Sequence, residues 1–143
     1  MSLKYEDITA DIIGSAFEVH TYFGYGFLEK VYQKVLQFEL LRRGHSVELE
    51  HGIKVKYKGT IVGEYAADLF VDEKVIVERK AAAEYNPKDE AQLLNQLKAT
   101  EIEVGLLVNF GREEVEFKRF VYQGGVRRNK LEIYTILDFL KSI

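Results

Sequence analysis

The sequence contains no cysteine. Disulfides and thiolate metal sites are therefore excluded, and a reducing, cytoplasmic setting is the expectation. No apolar run approaches 18 residues and no basic leader precedes an apolar stretch, so neither a membrane span nor a signal peptide is expected. Positive charge is not in excess: 20 Lys and Arg stand against 23 Asp and Glu, a formal charge of −3. That argues against a protein that coats DNA regardless of sequence. It leaves room for an enzyme with a local cationic groove and a metal ion. His20, His45 and His51 lack the spacing of metal ligands and read as structural or surface residues. Gly24-Tyr25-Gly26 precedes a helix with no strand before it, a poor match to a dinucleotide loop. None of Ser2, Ser15, Ser46 or Ser142 sits in a nucleophile elbow. No repeat, low-complexity tract or linker interrupts the chain, and 143 residues suit one domain over 1–143.

What is present is a globular composition, 47% hydrophobic and 30% charged. Ile8, Ile12, Ala16, Val19 and His20 fall at helical spacing and predict a first helix from about Ile8 to His20. Gly24 to Gly26 ends the pattern. A second helix is predicted from about Leu28 to Arg43, with Leu28, Val31, Tyr32, Val35, Leu36, Phe38, Glu39 and Leu40 on its apolar side and Gly44 as its left-handed cap. From Val47 the period changes to two, predicting a half-exposed strand to Tyr57 near a sheet edge. Lys58-Gly59 turns the chain into a strand from Thr60 to Val71, and Asp72-Glu73 turns it again into Lys74 to Lys80, an antiparallel meander. Asn86-Pro87 is a capped helix start, with Asp89 and Glu90 favourable in the first turn, and the helix is predicted to reach Thr100. Val104 to Phe110 is a continuous apolar run, the pattern of a central buried strand. Val115 to Tyr122 alternates as a further strand. A polar loop to Lys130 and a short closing helix from Thr135 to Ile143 complete the prediction. The expected class is mixed α/β, a central sheet flanked by helices.

Charges inside apolar strands need a partner or a metal. Asp68 interrupts one apolar strand, and Glu78 and Lys80 interrupt the next. Glu78 and Lys80, two apart, share a face, and a hairpin pairing brings Asp68 near Glu78. Two carboxylates and an amine suit a hard divalent cation and a polarised water. The ordinary reading is a cross-strand salt bridge of Lys80 with Asp68 or Glu78. Glu29 opens the second helix, where an acid stabilises the helix end, or is a third carboxylate aimed at the site. Tyr32 reads as a core aromatic with a hydrogen-bonded tip. Gln92 and Gln96 share one face of the third helix, either solvated or holding a phosphate or water. Lys98, Lys118, Arg119, Arg127, Arg128 and Lys130 are candidates for phosphate contacts, against the ordinary reading as scattered surface charge.

These residues form an ordered set. Gly26-x-x-Glu29-x-x-Tyr32, after Phe17-Glu18-Val19-His20, strongly resembles the family named for its GxxExxY signature. Gly63-Glu64-Tyr65-x-Ala67-Asp68, Val75-Ile76-Val77-Glu78-x-Lys80, Ala91-Gln92-Leu93-Leu94-Asn95 and Gly105 to Gly111 resemble its other blocks in order, from about Ile8 to Val121. The family is placed among the PD-(D/E)XK nuclease-like proteins. The resemblance implies a restriction-endonuclease-like core of helix, three-strand meander, helix and strand. It implies a metal-dependent nuclease cutting phosphodiester bonds of DNA, with RNA second; the alternative is a catalytically silent nucleic-acid or protein binding module. It implies Mg²⁺, or Mn²⁺ in its place, held by Asp68, Glu78 and the Arg79 backbone carbonyl. Glu29 would lie behind these or at a second metal. Lys80 would serve as the catalytic lysine and Gln92 as a substrate contact. Nucleic acid is the implied partner, no membrane is, and a homodimer is compatible. Three positions depart from the family pattern: Gln96 replaces a tyrosine, Arg79 an apolar residue, and Glu101 a glycine.

Overall fold

A computed structural model describes residues 4–84, 86–123 and 130–135. Helix α1 (Glu6–Phe23) buries Ile12, Ile13, Ala16, Val19 and His20, and outruns its prediction by two residues at the start and three at the end. Helix α2 (Glu29–Arg42) buries Tyr32, Gln33, Leu36 and Leu40. Phe38, expected on its apolar side, is exposed. The His45 amide reaches the Leu40 carbonyl (3.1 Å) and the Gly44 amide that of Leu41 (3.0 Å), the paired bonds of a left-handed helix end at Gly44.

Among the described residues six strands follow the order of the chain: β1 (Val47–Tyr57), β2 (Thr60–Val71), β3 (Val75–Lys80), β4 (Val104–Asn109), β5 (Glu116–Gln123) and β6 (Lys130–Thr135). All neighbours are antiparallel except β3 and β4, which are parallel because helix α3 (Pro87–Thr100) carries the chain across. The Asn86 side chain accepts from the Lys88 amide at 3.0 Å, and Pro87 fills the first helical position, so α3 starts where the sequence predicts. Glu101 ends it in the left-handed conformation (φ 60°), where a glycine would be unstrained. Helices α1 and α2 cover one face, burying Leu69, Val71, Val75, Val77, Leu106 and Val108; Leu93 and Leu97 of α3 cover Phe70, Ile76 and Phe120 on the other. With both faces covered, β4 buries all its residues but Asn109, as its unbroken apolar run requires.

The sequence reading missed β6. Its residues pair from Gln123↔Lys130 to Lys118↔Thr135, so Thr135 belongs to a strand and not to a helix start. The open edge of β5 takes the alternating, β-branched Leu131 to Thr135 stretch as a partner, and that pairing outweighs the local polar pattern. Residues 124–129 of the expected loop and 136–143 of the expected helix lie outside the described residues.

Two features place the functional residues. First, β2 pairs with β3 only from Leu69↔Val77 to Val71↔Val75, yet with β1 it runs on to Tyr57↔Thr60. Beyond Asp68 the β1–β2 arm therefore leaves the sheet, and Glu50, opposite that point, has a left-handed backbone (φ 51°). Second, the segment after β3 is pinned. Asn109 Oδ1 accepts from the Ala82 and Gly111 amides (3.0 Å each) and Asn109 Nδ2 donates to the Ala82 carbonyl (2.9 Å). A Cβ on Gly111 would stand 2.4 Å from the Ala82 nitrogen. Gly111→Ala should therefore cost about 2 kcal/mol or more in chemical denaturation, because the atom it meets is backbone and cannot turn away.

His45 ties the far end of the molecule. Its ring lies between Asp72 (2.5 Å) in the β2–β3 turn and Asp11 (2.7 Å) on α1. Burial works to lower its pKa, but the hydrogen bonds and charges of the two carboxylates outweigh burial and raise it above 6.5. Its contribution to stability is fully present below about 6.5 and lost as pH rises through the raised value. His45→Ala should accordingly melt well below the parent at pH 6, with the gap narrowing towards pH 8. An unchanged gap would contradict a charged His45 clasp.

Candidate active site

The α1–α2 loop aims Glu29. Gly26 holds a positive φ of 103° that a side chain would oppose, and the Tyr32 hydroxyl donates to the Gly24 carbonyl (2.6 Å) while accepting from the Phe27 amide (3.3 Å). The Tyr32 ring stacks on Phe110 at the end of β4, centroids 4.6 Å apart. Loop, helix start and sheet are thus one unit, and Glu29 projects to the end of β3. Its Oε1 accepts from the Ala81 amide (3.3 Å) and its Oε2 lies 3.6 Å from Arg79 Nη1.

Asp68 stands where β2 parts from β3. There its Oδ2 accepts from the Arg79 backbone amide (3.0 Å), a donor the ladder no longer serves, and from Arg79 Nη1 (2.7 Å). Gln33, buried on α2, donates to the Asp68 carbonyl (2.9 Å) and to Glu50 Oε1 (2.9 Å), so it holds both strands at the parting point. Continuing the Leu69↔Val77 register by one step sets Asp68 beside Glu78, as the sequence reading expected. Glu78 is the site's anomaly: its Oε1 is buried with no hydrogen-bond partner. Burial, and after it the charge and side-chain hydrogen bonding of Asp68, push its pKa up to about 8, while the Asp68 backbone and Lys80 act in the opposite direction.

Lys80 is drawn elsewhere. Its Nζ lies 3.5 Å from Asp89 Oδ1 in the first turn of α3, and the cation seated on Asp68 is Arg79 instead. The ordinary reading, a salt bridge of Lys80 with Asp68 or Glu78, is thus replaced by one with Asp89. Lys80 shares a face with Glu78, and α3 covers that face with an acid at its N-terminus. Gln92 and Gln96 part company: Gln92 is exposed, one turn beyond Asp89, whereas Gln96 is buried with its Oε1 unpartnered. Residues four apart on a helix differ by about 40° in direction, enough to straddle the edge of a buried stripe. Arg119 is not a surface phosphate contact, since it is buried and its guanidinium donates to the Lys4 carbonyl. Lys118 pairs with Glu90 at 3.3 Å and Lys98 is exposed. Arg127, Arg128 and the Lys130 side chain lie outside the described residues.

Glu29, Asp68, Glu78 and Arg79 therefore form one cluster at the end of β3, with Lys80 on its flank and Gln92 further along α3. Among the described residues no three acidic or histidine side chains stand ready as a ligand set, because the Arg79 guanidinium lies between Glu29 and Asp68. The donor set still fits a hard divalent cation. Asp68 and Glu78 are two carboxylates, one with a bare buried oxygen, and a cation beside them would favour the ionised form of Glu78. A cavity of about 490 Å³ is lined by Tyr25 of the α1–α2 loop, Ala83 beyond β3, and Arg112, Glu113 and Glu116, and by none of the cluster residues. The sequence reading missed Gln33, Glu50, Asn109 and the Arg79 side chain. Gln33 had a weak signal, an amide on the buried side of α2, and Glu50 had none.

No curated protein and no solved structure matches the chain. Over residues 6–120, however, it matches the sequence profile of the PD-(D/E)XK nuclease superfamily, a group whose nucleases typically use divalent metals. That span runs from the first residue of α1 into β5 and holds every residue of the cluster, on a sheet whose meander, crossover helix and parallel strand follow the restriction-endonuclease-like order. No helix among the described residues is long and apolar enough to cross a membrane. By sequence span and by fold, with paired acids where its strands part, this chain belongs to the PD-(D/E)XK nuclease superfamily.

Proposed function

We propose that the protein is a metal-dependent nuclease of the GxxExxY type that hydrolyses phosphodiester bonds of DNA, with RNA as the second substrate. The observation that carries this reading is Glu78, half-buried with one carboxylate oxygen buried and unpartnered, its pKa pushed up to about 8 by burial and by Asp68. Such a group is costly in a structural strand and useful at a cation site. Asp68, Glu78 and the Arg79 carbonyl would hold Mg²⁺, or Mn²⁺ in its place. The ion would supply an activated water and neutralise charge on the scissile phosphate. Lys80, released from Asp89, would donate from Nζ to the anionic phosphate oxygen. Glu29 would fix the Ala81 amide and so the end of β3, and Gln92 would meet the substrate from the exposed face of α3.

The test is cleavage of single-stranded, duplex and branched DNA, and of RNA, with Mg²⁺ or Mn²⁺. Asp68→Ala and Glu78→Ala should each reduce cleavage by at least about a hundredfold. Absence of cleavage on every substrate, or cleavage indifferent to both changes, would overturn the proposal. A second reading, a silent binding module, is favoured by one observation: the Arg79 guanidinium already satisfies Asp68. Nucleic acid bound but uncut in either metal would select it.

The raised pKa of Glu78 gives a separate expectation. In chelator, the folded state keeps a proton that the unfolded chain sheds near 4.5. That contribution is fully present below about 4.5 and is lost as pH rises through about 8. Glu78→Gln, which cannot ionise, should melt several degrees above the parent at pH 8.5 in chelator and at about the parent's temperature near pH 5. A variant no more stable than the parent at pH 8.5 would remove the argument for a buried acid.

A further inference from the structure

Arg79 occupies the middle of the Glu78-x-Lys80 element, at the half-buried end of β3. Its side chain is 12% exposed and that of its partner Asp68 is 13% exposed. The guanidinium is nevertheless incompletely satisfied. Nη1 bonds Asp68 Oδ2 at 2.7 Å, whereas Nε is buried with no partner. A guanidinium serving only the fold would be expected to use its fork on a carboxylate and leave no buried N–H bare. Arg79 also places its backbone amide on the same Asp68 oxygen, so that oxygen carries two donors from one residue.

We propose that Arg79 is a resident counter-cation that competes with a divalent ion for Asp68, so that metal enters only as the guanidinium leaves. This rests on the metal-site reading above and deepens it. An ion at Asp68 binds oxygen at about 2.1–2.5 Å. A guanidinium retained 2.7 Å from that oxygen would leave two like charges at most about 5 Å apart in a poorly hydrated notch, where their repulsion is weakly screened. One cation must yield. The side chain has a place to go: Glu29 Oε2 lies 3.6 Å from the same Nη1, and the Glu29 side chain is 46% exposed. A short swing towards the rim exchanges a buried partner for a half-solvated one and keeps the charge compensated. Glu29 and Asp68 then act as two stations for one guanidinium, and the metal-free cluster is held together until an ion replaces it.

The proposal is tested by calorimetric titration of MnCl₂ into the parent, Arg79→Met, Arg79→Lys and Glu78→Gln, with melting curves in chelator to confirm folding. Arg79→Met should bind Mn²⁺ at least about tenfold more tightly than the parent, and Arg79→Lys, with a shorter reach and no fork, should fall between. In chelator Arg79→Met should melt below the parent, and saturating Mn²⁺ should raise its melting temperature more than the parent's. If Arg79→Met does not fold, Arg79→Lys decides, and affinity equal to or below the parent's overturns the proposal. Equal Mn²⁺ affinity in parent and Arg79→Met, abolished in Glu78→Gln, overturns competition by Arg79 and leaves the metal site standing. No Mn²⁺ binding by any of the four overturns both.

Discussion

The parting of β2 from β3 at Asp68 is the constraint on which the cluster depends. A sheet that continued its ladder there would bond the Arg79 amide to a strand carbonyl and leave no opening for side chains. Because β2 turns away with β1, that amide needs another acceptor, and the Asp68 carboxylate supplies it. The same departure brings the Asp68 carbonyl and Glu50 under Gln33, which closes the backbone accounting on the α2 side. One irregularity in pairing therefore both exposes a carboxylate and fixes its position. Removing it would restore a regular hairpin and abolish the notch.

The remaining parts serve to hold the end of β3 against that notch. Tyr32 stacks on Phe110 and clamps the loop that aims Glu29. Phe110 in turn donates its amide to the Lys80 carbonyl (2.8 Å), extending the parallel pairing of β3 and β4 by one bond. Asn109 and Gly111 lock Ala82 immediately beyond. The glycine, acid and tyrosine spaced by three in the second-helix motif are thus explained by mechanics. The glycine permits the turn, the acid reaches the strand end, and the aromatic carries both a stacked ring and a hydroxyl for the loop.

Most of this was legible in the sequence where one physical rule acted alone. The α3 start at Asn86-Pro87, the buried β4 run and the Asp68–Glu78 juxtaposition follow from capping, unbroken hydrophobicity and strand alternation. What escaped was set by competition between distant parts. Strand β6 exists because β5 offers an open edge, information its own residues do not contain. Lys80 turns to Asp89 because α3 lands there, and Arg79 reaches Asp68 because β2 has left the sheet. Gln33 and Glu50 meet across a sequence separation of 17 residues at a backbone irregularity that no local pattern marks.

The cations around the cluster differ in how firmly they are held, and this orders what a polyanion and a metal ion can each displace. Lys80 with Asp89 and Lys118 with Glu90 are half-solvated pairs at 3.5 and 3.3 Å. Both are more exposed than Arg79 with Asp68, so the lysines are the less firmly enclosed cations. Arg79 with Asp68 is buried and shorter, and breaking it without replacement would strand a charge. On the nuclease reading proposed above, an anion alone would recruit the two lysines and leave Arg79 in place, since it could take the guanidinium only by leaving Asp68 bare. A divalent cation would do the reverse, because it would compensate Asp68 as it arrived. On the reading proposed above, metal and nucleic acid would each prepare the cluster for the other: the ion frees a guanidinium, and the phosphate frees two lysines.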